Sequence, residues 1–281
     1  MFDRCVVADW SARSAPATGR DSIWVGTCDQ HGVRSENPST RAAAMRAIRR
    51  EVAAPGRVLV GVDFSLGYPQ GFAAELGIGQ PAWRHTWELV EHLLDDDERN
   101  ANNRFHVASE LNGRVGDPLT AGPFWGCPPS ARSSVLTSTK VVSNPLPQWR
   151  AVETILRERG HRPFSSWQLL GAGSVGSQSL TGIAALAPMV RDVADDVDVW
   201  PFTSGFGVPG RRVVLAEVWP SLFPLESLAG SVKDDVQVRT VAAELFARAH
   251  DGSLAAWFAP HIDHRVDRRI VEAEEGWILG A

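Results

Sequence analysis

Val58-Leu59-Val60-Gly61-Val62 offers no polar side chain at either alternating position, so as a strand it has no face that can meet water. A strand buried on both faces needs cover above and below, and helices supply that cover in α/β chains. The runs around it fit that demand. Residues 4–8 (Arg-Cys-Val-Val-Ala) and 23–28 (Ile-Trp-Val-Gly-Thr-Cys) are short, β-branched and bounded by polar groups, and both read as strands. The Asp29-Gln30-His31-Gly32 turn leads to Val33 and a third, edge strand, which gives an opening antiparallel meander. Ser39 or Thr40 can cap a helix that runs to about Ala54, with Met45, Ile48 and Val52 on one face and Pro55-Gly56 as its stop.

The pattern changes after Pro69. As far as about Gly207 it reads as helices over 83–94, 105–111 and 149–159, separated by a Gly/Pro/Ser-rich stretch at 113–147. This middle region is expected to be an insertion that walls a site. Strand character returns at 197–200 and 211–218. A last long helix follows from near Asp234 to Ala249, with Val238, Val241, Ala242, Leu245 and Ala249 facing inward. The expectation is a single α/β domain over 1–281, a mixed sheet flanked by helices, with 69–207 inserted.

With 33 acidic against 28 basic residues the formal charge is −5, which argues against a protein that coats extended duplex DNA, since phosphate binding needs a dense basic face. Cys5, Cys28 and Cys127 are odd in number and widely spaced, so neither a disulfide framework nor a paired metal knuckle is indicated. No signal-peptide core and no run long enough to cross a membrane is present, and a cytoplasmic protein with no membrane partner is expected.

Three apolar runs end in an acid: Cys-Val-Val-Ala-Asp9-Trp10-Ser11, Val-Gly-Val-Asp63-Phe64-Ser65 and Val-Val-Leu-Ala-Glu217. A buried carboxylate without a partner costs several kcal/mol, roughly, so acids so placed call for a cation or a hydrogen-bond network. If the strands lie side by side, Asp9, Asp63 and Glu217 share one acidic site. Each can equally cap its strand. Asp234 and Asp235 open the last helix, where acids also complement the helix dipole. Several converging carboxylates are what Mg²⁺ or Mn²⁺ requires, and such ions activate water for phosphoester cleavage.

These segments together (the meander with Asp9, the strand continuing Asp63-Phe-Ser-Leu-Gly-Tyr-Pro69, Glu217-Val-Trp-Pro220 and Lys233-Asp-Asp-Val-Gln237) resemble the bacterial domain-of-unknown-function family numbered 429. The resemblance implies a ribonuclease H-like mixed sheet. It also implies metal ligation by Asp9, Asp63 and Asp235, with Glu217 beside them as a catalytic acid. Where the family's final helix usually carries Asp-Ala, this chain has Gln237-Val238, so Asp234 is an alternative ligand. The activity implied is divalent-metal-dependent hydrolysis of a phosphoester in a nucleotide or short nucleic acid.

Other signals compete. Gly171-Ala-Gly173-Ser-Val-Gly176 matches a dinucleotide-binding fingerprint, or forms a backbone nest for a small anionic or nucleotide-like ligand with Ser174, Ser177, Gln178 and Thr181. Ser11 and Ser65, each two residues beyond a strand acid, are expected to touch substrate. Trp125, in the stiff Gly122–Pro129 loop, either stacks a base or plugs the core. His261-Ile-Asp263-His264 is a possible transition-metal cluster, and Cys127 a possible nucleophile. Two further functions stay open. One is an actin-like ATPase or phosphotransferase, although Asp9 is followed by Trp-Ser-Ala rather than a phosphate loop. The other is a non-catalytic small-ligand or partner-binding protein.

Overall fold

The computed structural model describes residues 1–115, 121–141, 144–171, 174–224 and 231–281. Its strands are β1 (Arg4–Asp9), β2 (Trp24–Asp29), β3 (Gly32–Glu36), β4 (Val58–Val62), β5 (Val197–Val199) and β6 (Val213–Glu217). Its helices are α1 (Arg41–Ala53), α2 (Phe72–Glu75), α3 (Ala82–Leu93), α4 (Arg104–Arg114), α5 (Ala151–Glu158), α6 (Val175–Asp192), α7 (Lys233–Asp251), α8 (Leu254–Phe258) and α9 (Arg268–Ile270). Thr40 caps α1, its hydroxyl accepting from Ala43 N–H at 3.2 Å.

The strands form one six-stranded sheet in the order β3-β2-β1-β4-β6-β5. β1, β2 and β3 pair antiparallel, and β4, β6 and β5 continue parallel to β1. The chain is therefore α/β with a mixed sheet, antiparallel at one side and parallel at the other, as the sequence pattern predicts. β6 enters between β4 and the earlier-made β5.

Alternation splits each central strand between two cores. Val6, Ala8, Val60, Val62, Val213 and Leu215 pack on one face under α1 and α6. Cys5, Val7, Leu59, Val214 and Ala216 pack on the other under α7. The middle region does more than wall a site: Trp87 of α3, Val107 and Leu111 of α4 and Leu180 and Ile183 of α6 complete the first core.

Close approach sets how α7 seats on the sheet. A Cβ on Gly26 of β2 would lie 2.6 Å from the Val238 carbonyl oxygen, a backbone atom that cannot swing aside. Gly26→Ala should therefore push α7 off the sheet and cost about 1–3 kcal/mol in urea unfolding. A loss below about 0.5 kcal/mol, the range of neutral surface changes, would contradict the contact.

Candidate functional site

β1 and β4 run parallel with Ala8 opposite Val62, so the next residues, Asp9 and Asp63, leave the sheet side by side and on the same face. Trp10 N–H donates to Asp63 Oδ1 at 2.8 Å, and Asp63 N–H donates to the Ala8 carbonyl at 3.2 Å. The two carboxyls, both half-buried, lie within hydrogen-bonding reach of each other. Burial raises Asp9 well above the usual carboxylate range, and Asp63 and Asp234 push it further. Burial also raises Asp63, to about 7, against the lowering pull of the Trp10 N–H. Two such groups cannot both ionise cheaply, so without a cation the pair retains a proton into the neutral range.

Asp234, in the first turn of α7, lines the same cleft as Asp9, and its Oδ2 accepts from Asp21 N–H at 2.8 Å. Lys233 beside it partly offsets the charge on Asp9. Asp235 is turned away from the cleft. Its Oδ1 accepts from Ser35 Oγ of β3 at 2.5 Å, and Arg239 stands 3.9 Å from Oδ2. Asp235 thus corrects the first choice of helix ligand. One helical residue is a rotation of about 100°. Asp234 and Asp235 therefore leave α7 in different directions, Asp234 into the cleft and Asp235 toward Ser35 of β3.

Glu217 does not join them. It pairs with Val62 rather than with Asp63, one residue out of phase, so alternation points it away from the Asp9–Asp63 face. Its carboxylate is closed by Arg150, with Nη1 to Oε2 at 2.7 Å and Nη2 to Oε1 at 2.6 Å, and Leu66 N–H reaches Oε2 at 3.3 Å. Arg150 is fully buried and also holds Glu153 through Nε at 3.0 Å and the Glu275 carbonyl through Nη1 at 3.0 Å. The expectation of one cavity containing all three strand acids is overturned. Glu217 is half of a sealed ion pair.

The cleft, of ≈ 450 Å³, brings Asp9, Ser11 and Asp234 together with Ser174, Gln178 and Arg104. Gln178 ties the walls by donating from Nε2 to the Trp10 carbonyl. The expected backbone nest is largely spent on the fold: Gly176 N–H donates to Gln168 O at 2.9 Å and Ser177 N–H to Ser174 O at 3.2 Å. Ser177 Oγ donates to Leu169 O at 2.6 Å, and Thr181 Oγ1 accepts from Trp10 Nε1 at 3.2 Å. Gly173 lies outside the described residues. Turns and isolated bridges, not a strand, precede α6 among the described residues, which removes the context a dinucleotide fingerprint needs.

Ser65 is buried and lies outside the cleft lining. Trp125 bridges to Thr137 and Gln168 and packs against the first core, so its loop plugs the long connection rather than offering a platform to a base. Cys127 is buried and directs its thiol at the Leu136 carbonyl. Asp263 is engaged by Arg265 at 2.8 Å, and the His264 side chain beside it is almost fully exposed.

Arg104 went unnoticed in the sequence although it carries a signal there: a cation in the first turn of a helix opposes the helix dipole. Among the described residues, no group of three or more His, Cys, Asp or Glu side chains is disposed to hold a metal ion, and no helix is long and apolar enough to cross a membrane. Comparison with protein-family models, with curated proteins and with solved structures gives no match.

Proposed function

We propose that the chain is a divalent-cation-dependent hydrolase of phosphoester bonds, acting on a small nucleotide-like substrate from a ribonuclease H-like sheet. The observation that carries this reading is the Asp9–Asp63 pair, held at the ends of adjacent parallel strands, with Asp9 lining an open cleft and Asp63 behind it. The mixed sheet supports it, as do acids on the first strand, on the strand after the first helix and at the start of a late helix.

The donor set fits Mg²⁺ or Mn²⁺. Mg²⁺ is commonly held by one or two carboxylates plus substrate phosphate, so a pair suffices where a three-acid cage is lacking. Asp9 and Asp63 would hold the ion, and Asp234 adds negative charge from the opposite wall. Such an ion supplies Lewis-acid polarisation of a phosphoryl oxygen and activation of water. The Trp10 N–H fixes Asp63, while Lys233 keeps the local charge from mounting further.

Because a cation must displace the proton held by the pair, Mn²⁺ affinity should rise from pH 6 to pH 8, with proton release on binding. Calorimetry in two buffers of different ionisation enthalpy measures both. Paired with it, hydrolysis of bis-p-nitrophenyl phosphate should require Mn²⁺ or Mg²⁺. Metal-independent turnover, or no Mn²⁺ binding at pH 8, would overturn the reading. An ATP-specific thermal shift beyond that of the metal alone would favour the phosphotransferase instead.

A further inference from the structure

Arg104 is a buried cation with no counter-charge of its own. It is 8% exposed, yet no carboxylate among the described residues lies within 4.0 Å of it. The nearby acid Asp96 is committed to Arg41, at 2.5 Å from its Nε and 2.6 Å from its Nη2. Burial and the Arg41 charge lower Arg104 to about 10, which leaves it cationic at neutral pH. An unpaired buried charge is costly to keep.

The guanidinium is nevertheless rigidly held. Nε donates to Ser177 Oγ at 3.1 Å, Nη1 donates to Ser14 Oγ and Asn102 Oδ1 at 2.8 Å each, and the group lies 4.3 Å over the Phe105 ring. All these partners are neutral. Among the described residues Nη2 has no acceptor, and Arg104 lines the cleft that contains Asp9, Ser11 and Ser174. Everything that fixes its position leaves its charge for something else.

We propose that Arg104 anchors an oxyanion in this cleft, the phosphate of a small phosphorylated substrate, through Nη2 with Ser11 and Ser174 alongside. That the anion is a substrate's phosphate rests on the hydrolase reading; that the cleft takes an oxyanion at Arg104 does not. A cleft of ≈ 450 Å³ is in the range of small-molecule sites, and a lining that sets Arg104 and Arg13 against Asp9, Asp21 and Asp234, in a chain of net charge −5, suits a single phosphate better than a polymer backbone.

The experiment is calorimetric titration of inorganic phosphate into metal-free protein, comparing wild type, Arg104→Gln and Asp63→Asn, with a parallel Mn²⁺ titration. Wild type and Asp63→Asn should bind phosphate, and Arg104→Gln should bind it about 10- to 100-fold more weakly while keeping its Mn²⁺ affinity. Phosphate binding that depends on Arg104 in a protein that takes no Mn²⁺ would sustain the anion site and defeat the hydrolase. No phosphate binding by metal-free wild type, or equal binding by Arg104→Gln, overturns the anion site. Should Arg104→Gln fail to fold, a phosphate-soaked crystal of the wild type decides: an ion within hydrogen-bonding distance of Nη2 supports the proposal, and its absence there overturns it.

Discussion

Arg150→Met should be the most damaging single substitution in the chain, costing about 3–5 kcal/mol, a large share of the stability of a typical domain. Arg150 is the shared partner of Glu217 and Glu153 inside the protein. Removing it strands two carboxylates that water cannot reach, and the methionine stem recovers only the packing. Urea unfolding gives the number. The double variant Arg150→Met/Glu217→Gln should recover part of the loss, because one stranded charge goes with it. Glu217→Gln alone should destabilise the protein and leave Mn²⁺ affinity unchanged, since the pair that binds the ion lies on the other face. A Glu217→Gln variant that folds normally yet loses its metal would refute the separation of the two sites.

Asp63→Asn should have the largest effect on activity, a fall on the order of 10³-fold, together with loss of Mn²⁺ stabilisation. Its effect on the apo protein carries the opposite sign. The folded-state pKa of Asp63, about 7, lies above the ordinary carboxylate value of 3.8, so the native state holds its proton more tightly than the unfolded chain does. That contribution to stability is fully present below about pH 4 and is lost as pH rises through about 7. Asparagine has no proton to lose. Melts from pH 4 to 8 should therefore show the variant gaining on wild type as pH rises and equalling or exceeding it at pH 8. If Asp63 served only as an acceptor for the Trp10 N–H, the variant would instead lose roughly 1–3 kcal/mol at neutral pH, with no such trend.

Local pattern carried most of the architecture. The apolar runs at 4–8, 23–28, 58–62 and 213–217 are strands because each is short, β-branched and unbroken, and Thr40 and Pro55-Gly56 bracket α1. Asp9 and Asp63 were legible as a pair for the same reason: Asp9 closes β1 and Asp63 follows β4, and the two strands leave the sheet in the same direction. Glu217 was misplaced because its face depends on which β4 residue it meets, and pairing register between strands so distant in sequence is not written in either one. Its true partner, Arg150, stands at the start of the expected 149–159 helix, where nothing in the sequence marks an arginine as turned inward. The segment after His264 was passed over altogether. Yet Ile278 bridges to Glu217, and Glu275 accepts from both Ala151 N–H and Gln70 N–H at 2.8 Å, so the late chain clasps the rim of the sheet. Arg104 shows the other kind of miss, a residue whose break with a local rule drew no reading at all.

The placement of β6 between β4 and β5 bears on how the protein is made. On a ribosome β1 to β4 emerge first and can pair, but the outer edge of β4, apolar throughout, has no neighbour until Val213 to Glu217 appear. β5 emerges sooner and cannot help, because it bonds only to β6. Translation of Asp63 to Arg212 takes on the order of 10 s. For that interval the nascent chain presents a sticky, unpaired strand to every other polypeptide nearby. Expression yield should accordingly respond to chaperone supply and to translation speed across this stretch more than to the stability of the finished fold.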